Sequence, residues 1–502
     1  MKKSTIYHPF LFSVIPVLFL FTQNMNEVSL SETVYSFAAS LCFTLILMFI
    51  ANLILKDKNK SGIIVSMFLI LFFTFGRVHS ALEEFQFGRY RNILLILSIL
   101  FGLGLYLIIK TDKKLHEFTN SLNIFALVMV LLSITEIIVY ELQNNHAMES
   151  NLDVNNSNVK EIKKPTYRDI YYIILDGYAR SSTLEEIYSY DNTKFIGFLE
   201  KKGFYIGSKT RSNYAMTFLS LASSLNMDYL NNLTEKVGIG SVDRKLPYNM
   251  IKKNKVTSFL KSIGYKTIYF GSGWGPTKRN KYADMDFGYR GSWNAFEIAL
   301  MHTTLMNPFV EYFNLFEQEE RIRVINTFSK LGEIQNIEGP KFVFAHIVCP
   351  HEPYVFGANG EHVEHNKDET VLEKKQQYIN QLIYINDKVT LLINEIISKS
   401  KISPIVILQA DHGPASSFAL PSPVGWKSPT ELNLRERMRI FSAYHLPAGG
   451  DTILYESITP VNTFRMIFNF YFNTHFILLN DKSYYSTYQQ PYKFIDVTNI
   501  AK

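Results

Sequence analysis

The chain has 502 residues, 47% of them hydrophobic, with 51 lysines and arginines against 45 acids and only two cysteines. That length allows two or three domains, and the net charge of +6 gathers beside apolar stretches rather than on a basic face, which excludes a nucleic-acid footprint. Cys42 lies inside an apolar stretch and Cys349 far downstream, so a disulfide-stapled scaffold is excluded as well.

Five apolar stretches crowd into the first 140 residues, at about Pro9–Phe21, Val34–Leu55, Gly62–Phe75, Ile93–Ile109 and Ile124–Tyr140. Helices of about 20 residues cross the ~30 Å of hydrocarbon in a bilayer. The first stretch is short, and reaches that length with Tyr7, His8 and Thr22 in the interfaces. No small-x-small cleavage pattern follows Phe21, so it reads as an uncleaved anchor. Lys2 and Lys3, then Lys56, Lys58 and Lys60, then Lys110, Lys113 and Lys114 fall on one side of five spans, and the positive-inside rule makes that side cytoplasmic. The stretch from Arg77 to Arg91, on the other side, is a mild exception. An odd number of spans places everything after Tyr140 outside the cytoplasm. The expected protein is therefore multi-pass in the cell membrane, with an extracytoplasmic C-terminal domain. Glu136, near the end of span five, is the main intramembrane charge, and the scarcity of others argues against a transporter.

Residues 1–142 thus read as a transmembrane domain of five helices, 143–166 as a polar linker, and 167–502 as one extracytoplasmic domain. In that domain short apolar runs at Tyr171–Leu175, Thr267–Phe270, Lys341–Val348, Pro404–Leu408 and Met438–Ala443 alternate with helical segments such as Thr193–Lys202 and Gln377–Lys399. Strands alternating with helices predict an α/β fold, a mainly parallel sheet with helices on both faces.

Two of these strands end in metal-ligand residues. Tyr171–Leu175 runs into Asp176-Gly177, and Ile405–Gln409 into Ala410-Asp411-His412-Gly413. Open α/β sheets bind ligands at the C-terminal ends of their strands. Carboxylates and an imidazole there offer oxygen and nitrogen to a divalent cation such as zinc, manganese or magnesium. Between them, Arg211–Met227 reads as a loop entering a helix near Thr217. A hydroxyl at a helix N-terminus caps the helix, or, beside a metal ion, becomes a nucleophile. If the Thr217 hydroxyl is not the reactive one, Ser212 and Ser220 stand nearby in the same segment. His351, in the turn Pro350-His351-Glu352-Pro353 after another strand, can protonate a leaving oxygen or hold a phosphate oxygen. His346, within the apolar run before it, reads as a hydrogen-bonded core residue. Trp274, Lys278 and Arg279 follow a strand in a glycine-rich loop and either line the pocket or simply leave the sheet. His445, the pair His362 and His365, and the helix start Thr459-Pro460 read as structural or solvated.

Asp176-Gly177, the segment around Thr217, Pro350-His351-Glu352-Pro353 and Asp411-His412-Gly413 resemble, in order and spacing, the alkaline phosphatase/sulfatase superfamily. Five spans ahead of such a domain resemble its membrane-anchored branch, the lipoteichoic acid synthases and phosphoethanolamine transferases. The resemblance implies that Asp176, Thr217, Asp411 and His412 bind one divalent metal ion, that Thr217 forms a phospho-threonine intermediate, and that His351 assists at the phosphate or the leaving alkoxide. It implies a metal-dependent transferase moving a substituted phosphate, of phosphoglycerol or phosphoethanolamine type, from a phospholipid donor to a cell-envelope glycan. A phosphoric- or sulfuric-ester hydrolase on the same scaffold is one alternative, and a non-catalytic membrane-anchored envelope protein another. The Cys- or Ser-x-Pro-x-Arg motif that sulfatases convert to formylglycine is absent, and no second set of metal ligands with an Asp and a His four residues apart is evident.

Overall fold

Strand β1 (Ile170–Leu175) is buried at every position, and its alternate side chains feed two different cores. Tyr171, Ile173 and Leu175 face one, Ile170, Tyr172 and Ile174 the other, so a helical layer must cover each face. In this computed structural model the protein is described at residues 5–25, 28–82, 89–111, 115–148, 167–273, 275–289, 291, 293–363, 369–418 and 424–502. The chain divides into two compact units. One is Met1–Leu152 with Ser292–Phe316, and the other is Asp153–Gly291 with Glu317–Lys502.

The first unit contains α1 (His8–Gln23), α2 (Val34–Leu55), α3 (Lys58–Leu82), α4 (Tyr90–Lys110) and α5 (His116–Met148). The last four are long and apolar enough to cross a membrane, and α1, of 16 residues, is shorter. Together they are the five-helix membrane domain. Its side chains form a lipid-like exterior: Phe49, Ile54, Leu95 and Leu132 are each more than half exposed. The inner seams carry small and polar residues, as helix packing in lipid favours. His8 and Thr22, at the two ends of α1, are buried among the helices. The His8 main-chain N–H donates to Asn123 Oδ1 at 2.9 Å, and the His8 ring lies 2.6 Å from Ser66 Oγ. The fifth helix overruns the expected span and continues through the first residues of the expected linker to Met148; the rest of that linker, 149–166, lies outside the described residues.

Two helices that follow much later in the chain, Ala295–Thr303 and Asn307–Tyr312, also belong to the first unit. This return was not anticipated, because neither piece approaches the length of a span.

The second unit is built on a seven-stranded sheet. Its strands are β1, β2 (Tyr205–Ile206), β3 (Lys266–Phe270), β4 (Met285–Asp286), β5 (Lys341–Ile347), β6 (Ile405–Gln409) and β7 (Ser442–His445). The order is β2-β7-β6-β1-β5-β3-β4; β6, β1, β5, β3 and β4 run parallel, and β7 and β2 pair antiparallel at one edge. The predicted α/β architecture therefore holds. β1 sits between β5 and β6, with Leu175 level with Ile347 and Ile174 level with Gln409. The C-terminal tips of all three open on the same edge. One expected strand is displaced. Met438–Ala443 begins as the end of a helix, Glu431–Met438, started by a capping box between Thr430 and Asn433, and the strand is Ser442–His445. Gln409, buried at the end of β6, accepts from Tyr172 Oη at 2.9 Å and donates to Tyr444 Oη at 3.0 Å, tying three neighbouring strands together.

Candidate active site

Asp176 leaves β1 with its N–H on Ile347 O (3.0 Å) and its own carbonyl accepting from His351 N (3.0 Å). The next residue must be glycine on two counts: φ is +73°, and a Cβ would stand 3.3 Å from His351 Cα. That close approach brings the His351 turn over the tip of β1.

Asp411 and His412 leave β6 into an equally confined turn. Gly413 N donates to Arg437 O at 2.7 Å, and a Cβ on Gly413 would lie 2.0 Å from Glu436 O. The main-chain carbonyl of Asp411 accepts from Ser212 Oγ (2.5 Å) and Ser220 Oγ (2.7 Å). These two serines therefore hold the strand tip.

Thr217 is the first residue of the helix Thr217–Asn226. The N-cap position belongs to Met216, and no side chain caps that end. The Thr217 hydroxyl lies 2.9 Å from His412 Nε2 and is buried. His412 Nδ1 lies 3.0 Å from Gly413 O, which only accepts, so Nδ1 carries the ring proton and Nε2 keeps its lone pair. Burial, aided by the charge of Arg437, holds the His412 pKa well below its ordinary value, and the ring is neutral.

His412 Nε2 is 3.3 Å from Asp411 Oδ2 and 3.5 Å from Asp176 Oδ1. Both of these carboxylate oxygens are buried and have no hydrogen-bond partner. Burial alone raises a carboxyl pKa. At Asp176 that is overcome by His351, His346 and His412, and the result falls below the usual carboxylate range. At Asp411 burial, reinforced by the charge of Asp176, pushes the pKa up to about 7. Two buried carboxylates with bare oxygens, a lone-pair imidazole and a hydroxyl form a donor set suited to a hard or borderline cation.

His346 is the buried, hydrogen-bonded residue expected, and its partner is the candidate ligand Asp176. Its Nε2 is 3.1 Å from Asp176 Oδ2, and its Nδ1 is 2.7 Å from Thr277 Oγ1. Ligand atoms of Asp176, His351 and His412 lie within 4.8 Å of one another, as do those of Asp176, His346 and Asp411. The register carries the reason. His346 is level with Ile174, two residues before Asp176, so period-two alternation turns both side chains to one face.

Arg437 was not singled out in the sequence. It is 2% exposed, donates from Nε to Ala215 O (2.7 Å) and from Nη1 to Gly413 O (2.8 Å), and lies over the Trp426 ring at 5.0 Å. It ties the segment leading to Thr217 to the turn that carries His412. Its contacts are all long-range, so no local pattern announces it. A cleft of about 530 Å³ opens here, lined by His351, Tyr378, Trp426, Arg437 and Tyr488 among others.

Other expected residues lie elsewhere. Trp274 and His365 fall outside the described residues. From the glycine-rich loop it is Thr277 that reaches His346, whereas Arg279 is exposed. His445 bonds Pro404 O at 2.9 Å and packs on Phe204, a structural role. His362 is exposed, and Thr459 Oγ1 donates to Asp481.

A mainly parallel sheet thus collects a hydroxyl, two carboxylates and imidazoles at the C-terminal ends of its strands, where open α/β sheets bind their ligands. A family model described as Sulfatase matches residues 168–466, and the chain belongs to that family. It is an enzyme of the sulfatase-like superfamily anchored by apolar helices. Among solved structures it is similar to the C-terminal periplasmic domain of EcEptC from Escherichia coli (14% identity, 68% of this chain and 96% of that one, TM-score 0.43). Others are the integral membrane lipooligosaccharide phosphoethanolamine transferase A from Neisseria meningitidis (10%, 86% and 88%, 0.33) and a protein in the alkaline phosphatase superfamily from Vibrio parahaemolyticus (10%, 66% and 75%, 0.38). A search of curated proteins found no match.

Proposed function

We propose that this protein is a phosphotransferase of the membrane surface that takes a substituted phosphate from a phospholipid onto Thr217 and passes it to an envelope glycan. The observation that carries the reading is the Thr217 hydroxyl, free of any capping duty and 2.9 Å from the lone pair of His412, beside two carboxylate oxygens without partners. Asp176, Asp411, His412 and Thr217 would hold one divalent cation, which when bound supplies positive charge that favours the threonine alkoxide and offsets charge on the phosphate.

In the first half-reaction Thr217 Oγ, its proton already released to solvent, bonds to phosphorus, and the P–O bond to the lipid alcohol breaks. His351, half-buried at the cleft with Nδ1 2.6 Å from Glu352 O, would act as the imidazolium, giving the proton on Nε2 to the leaving alkoxide while Nδ1 keeps its own. In the second, an acceptor hydroxyl loses its proton to His351 and attacks phosphorus, and the Oγ–P bond breaks. Arg437 keeps the two segments that carry Thr217 and His412 in register. The absence of a Cys- or Ser-x-Pro-x-Arg motif speaks against a formylglycine-dependent sulfatase. Membrane helices favour a lipid donor over a soluble ester. The lysines that recur in the sequence before the first, third and fifth apolar stretches favour an extracytoplasmic catalytic unit.

The test is the mass of the Thr217 peptide after incubation of the membrane-embedded protein with candidate phospholipids and a divalent metal. A phosphate carrying a small alcohol on Thr217 supports the reading and names the head group. Its transfer to an added glycan separates a transferase from a hydrolase, in which water resolves the same adduct. A modification on Ser212 or Ser220 would overturn the assignment of Thr217.

A further inference from the structure

The segment 293–316 returns to the first unit in an unusual way. Asn294 Nδ2 donates to Glu32 O, in the connection between α1 and α2, at 3.1 Å. From there the helix Ala295–Thr303 runs inward along α1 and α3, and Phe296 and Leu300 join a buried cluster with Val17, Phe21, Leu69 and Phe73. At its end the His302 carbonyl fills the space a side chain would need at Gly76: a Cβ there would lie 1.8 Å from that oxygen. The turn is deepest at Leu305, whose N–H donates to Phe72 O at 2.8 Å. Asn307 then donates to Tyr90 Oη, at the start of α4, at 2.9 Å, and the helix Asn307–Tyr312 leads back.

The depth of that turn follows from α3. Its apolar stretch Gly62–Phe75 is centred near Leu69. Phe72 is three residues beyond the centre, ~5 Å at 1.5 Å per residue, so in a hydrocarbon layer ~30 Å thick it lies ~10 Å below the surface. At such a depth no water serves the backbone, and every polar group needs a protein partner. The amide N–H groups of the turn meet that demand. Thr304 N donates to Met301 O, Leu305 N to Phe72 O, Met306 N to Thr304 Oγ1 and Asn307 N to Thr304 O. Residue 308 is proline, and Phe309 and Val310 both donate to Met306 O. The Asn307 side chain is held by Tyr90 and by His302 Nδ1 at 2.6 Å. The large apolar side chains left outward are Met306 (41% exposed), Phe309 (49%), Tyr312 (81%), Phe313 (42%) and Phe316 (39%).

We infer that residues 295–312 form a re-entrant helical hairpin buried in one leaflet of the membrane, on the side where α2 begins and α3 ends, with Phe309, Tyr312 and Phe313 against the lipid chains. The two helices the turn bonds to carry exposed apolar residues of the same kind, Ile70 on α3 and Leu94 and Leu95 on α4, which makes lipid the occupant. This rests on the membrane domain and not on the reaction proposed above.

The experiment is spin labelling of the full-length protein in phosphatidylcholine vesicles, on a Cys42→Ser background; the other cysteine, Cys349, is fully buried. Labels at Phe309→Cys and Tyr312→Cys are compared with one at exposed Lys281→Cys for collision with oxygen and with a water-soluble nickel chelate. Because both target positions are exposed in the structure, packing within one chain does not shield them. The inference predicts an oxygen-to-nickel ratio several-fold above that at Lys281, with Phe309 deeper than a further label at Phe316. Ready nickel collision at Phe309 would place the hairpin in water and overturn it. Shielding from both reagents would put a second protein copy there instead of lipid, and overturn it equally.

Discussion

Thr217 keeps its hydroxyl off the helix it begins and turned towards His412. If that hydroxyl is the nucleophile, Thr217→Ala loses ~10⁴-fold or more in turnover, the scale seen when an activated nucleophile is removed, and Thr217→Ser keeps a measurable part of it. A lipid-headgroup transfer assay on the two variants, with the folded fraction checked by circular dichroism, decides this. His346 makes a different prediction. With one nitrogen on Asp176 and the other on Thr277, it orients the carboxylate, and His346→Ala weakens metal binding by ~10–100-fold, the usual cost of losing an outer partner. Calorimetric titration with zinc or manganese reads that loss directly. An unchanged affinity would return His346 to the role of a core histidine. Asp176, Asp411, His412 and Thr217 were legible in the sequence because each stands where a regular element starts or stops. His346 was not, since its partner across the sheet depends on a register of β1 on β5 that 170 residues of intervening chain conceal.

At the scale of elements, the central strands hold the site edge in place. β1 is buried on both faces, so Ile173→Ala removes contacts that no solvent replaces and costs about 2–5 kcal/mol. Urea unfolding of the detergent-solubilised protein, followed by tryptophan fluorescence, measures it. Gly413→Ala is a sharper test of the turn after β6. The added methyl would overlap Glu436 O, so the segment must shift and carry His412 with it. Activity is expected to fall far more than stability does, and equal losses would argue against a local effect. β1, β3, β5 and β6 were legible as dense apolar runs. Strand β7, between β2 and β6, was misplaced because Met438, at the end of a helix whose start is marked only by Thr430 and Asn433, and Ile440 just beyond it extend the apolar look of the run.

For the whole molecule, a cation held between the buried carboxylates of Asp176 and Asp411 would add to the stability of the second unit. A cation bound at 100 times its dissociation constant adds about 2.7 kcal/mol, so chelation is expected to lower the melting temperature by several degrees and metal to restore it, as differential scanning fluorimetry in detergent shows. A melting point indifferent to chelator would contradict the donor set. The division into two units was legible at its first boundary, where apolar helices give way to a polar stretch. The second crossing, at 292–316, was hidden because a hairpin that enters only one leaflet is too short to raise the signal of a span.

That crossing bears on how the protein is made. The polypeptide leaves the bilayer after α5, lays down β1 to β4, and then revisits the bundle before β5, β6 and β7 are synthesised. The strands of the sheet are therefore complete only after the segment bound for the membrane helices has been made. A secreted fragment starting at Tyr167 carries Phe296, Leu300 and Phe309 with nothing to receive them, and is expected to elute from gel filtration as aggregate. Replacing 295–312 with a short glycine-serine bridge should return it to a single species, which would make the polar half of this enzyme obtainable apart from its anchor.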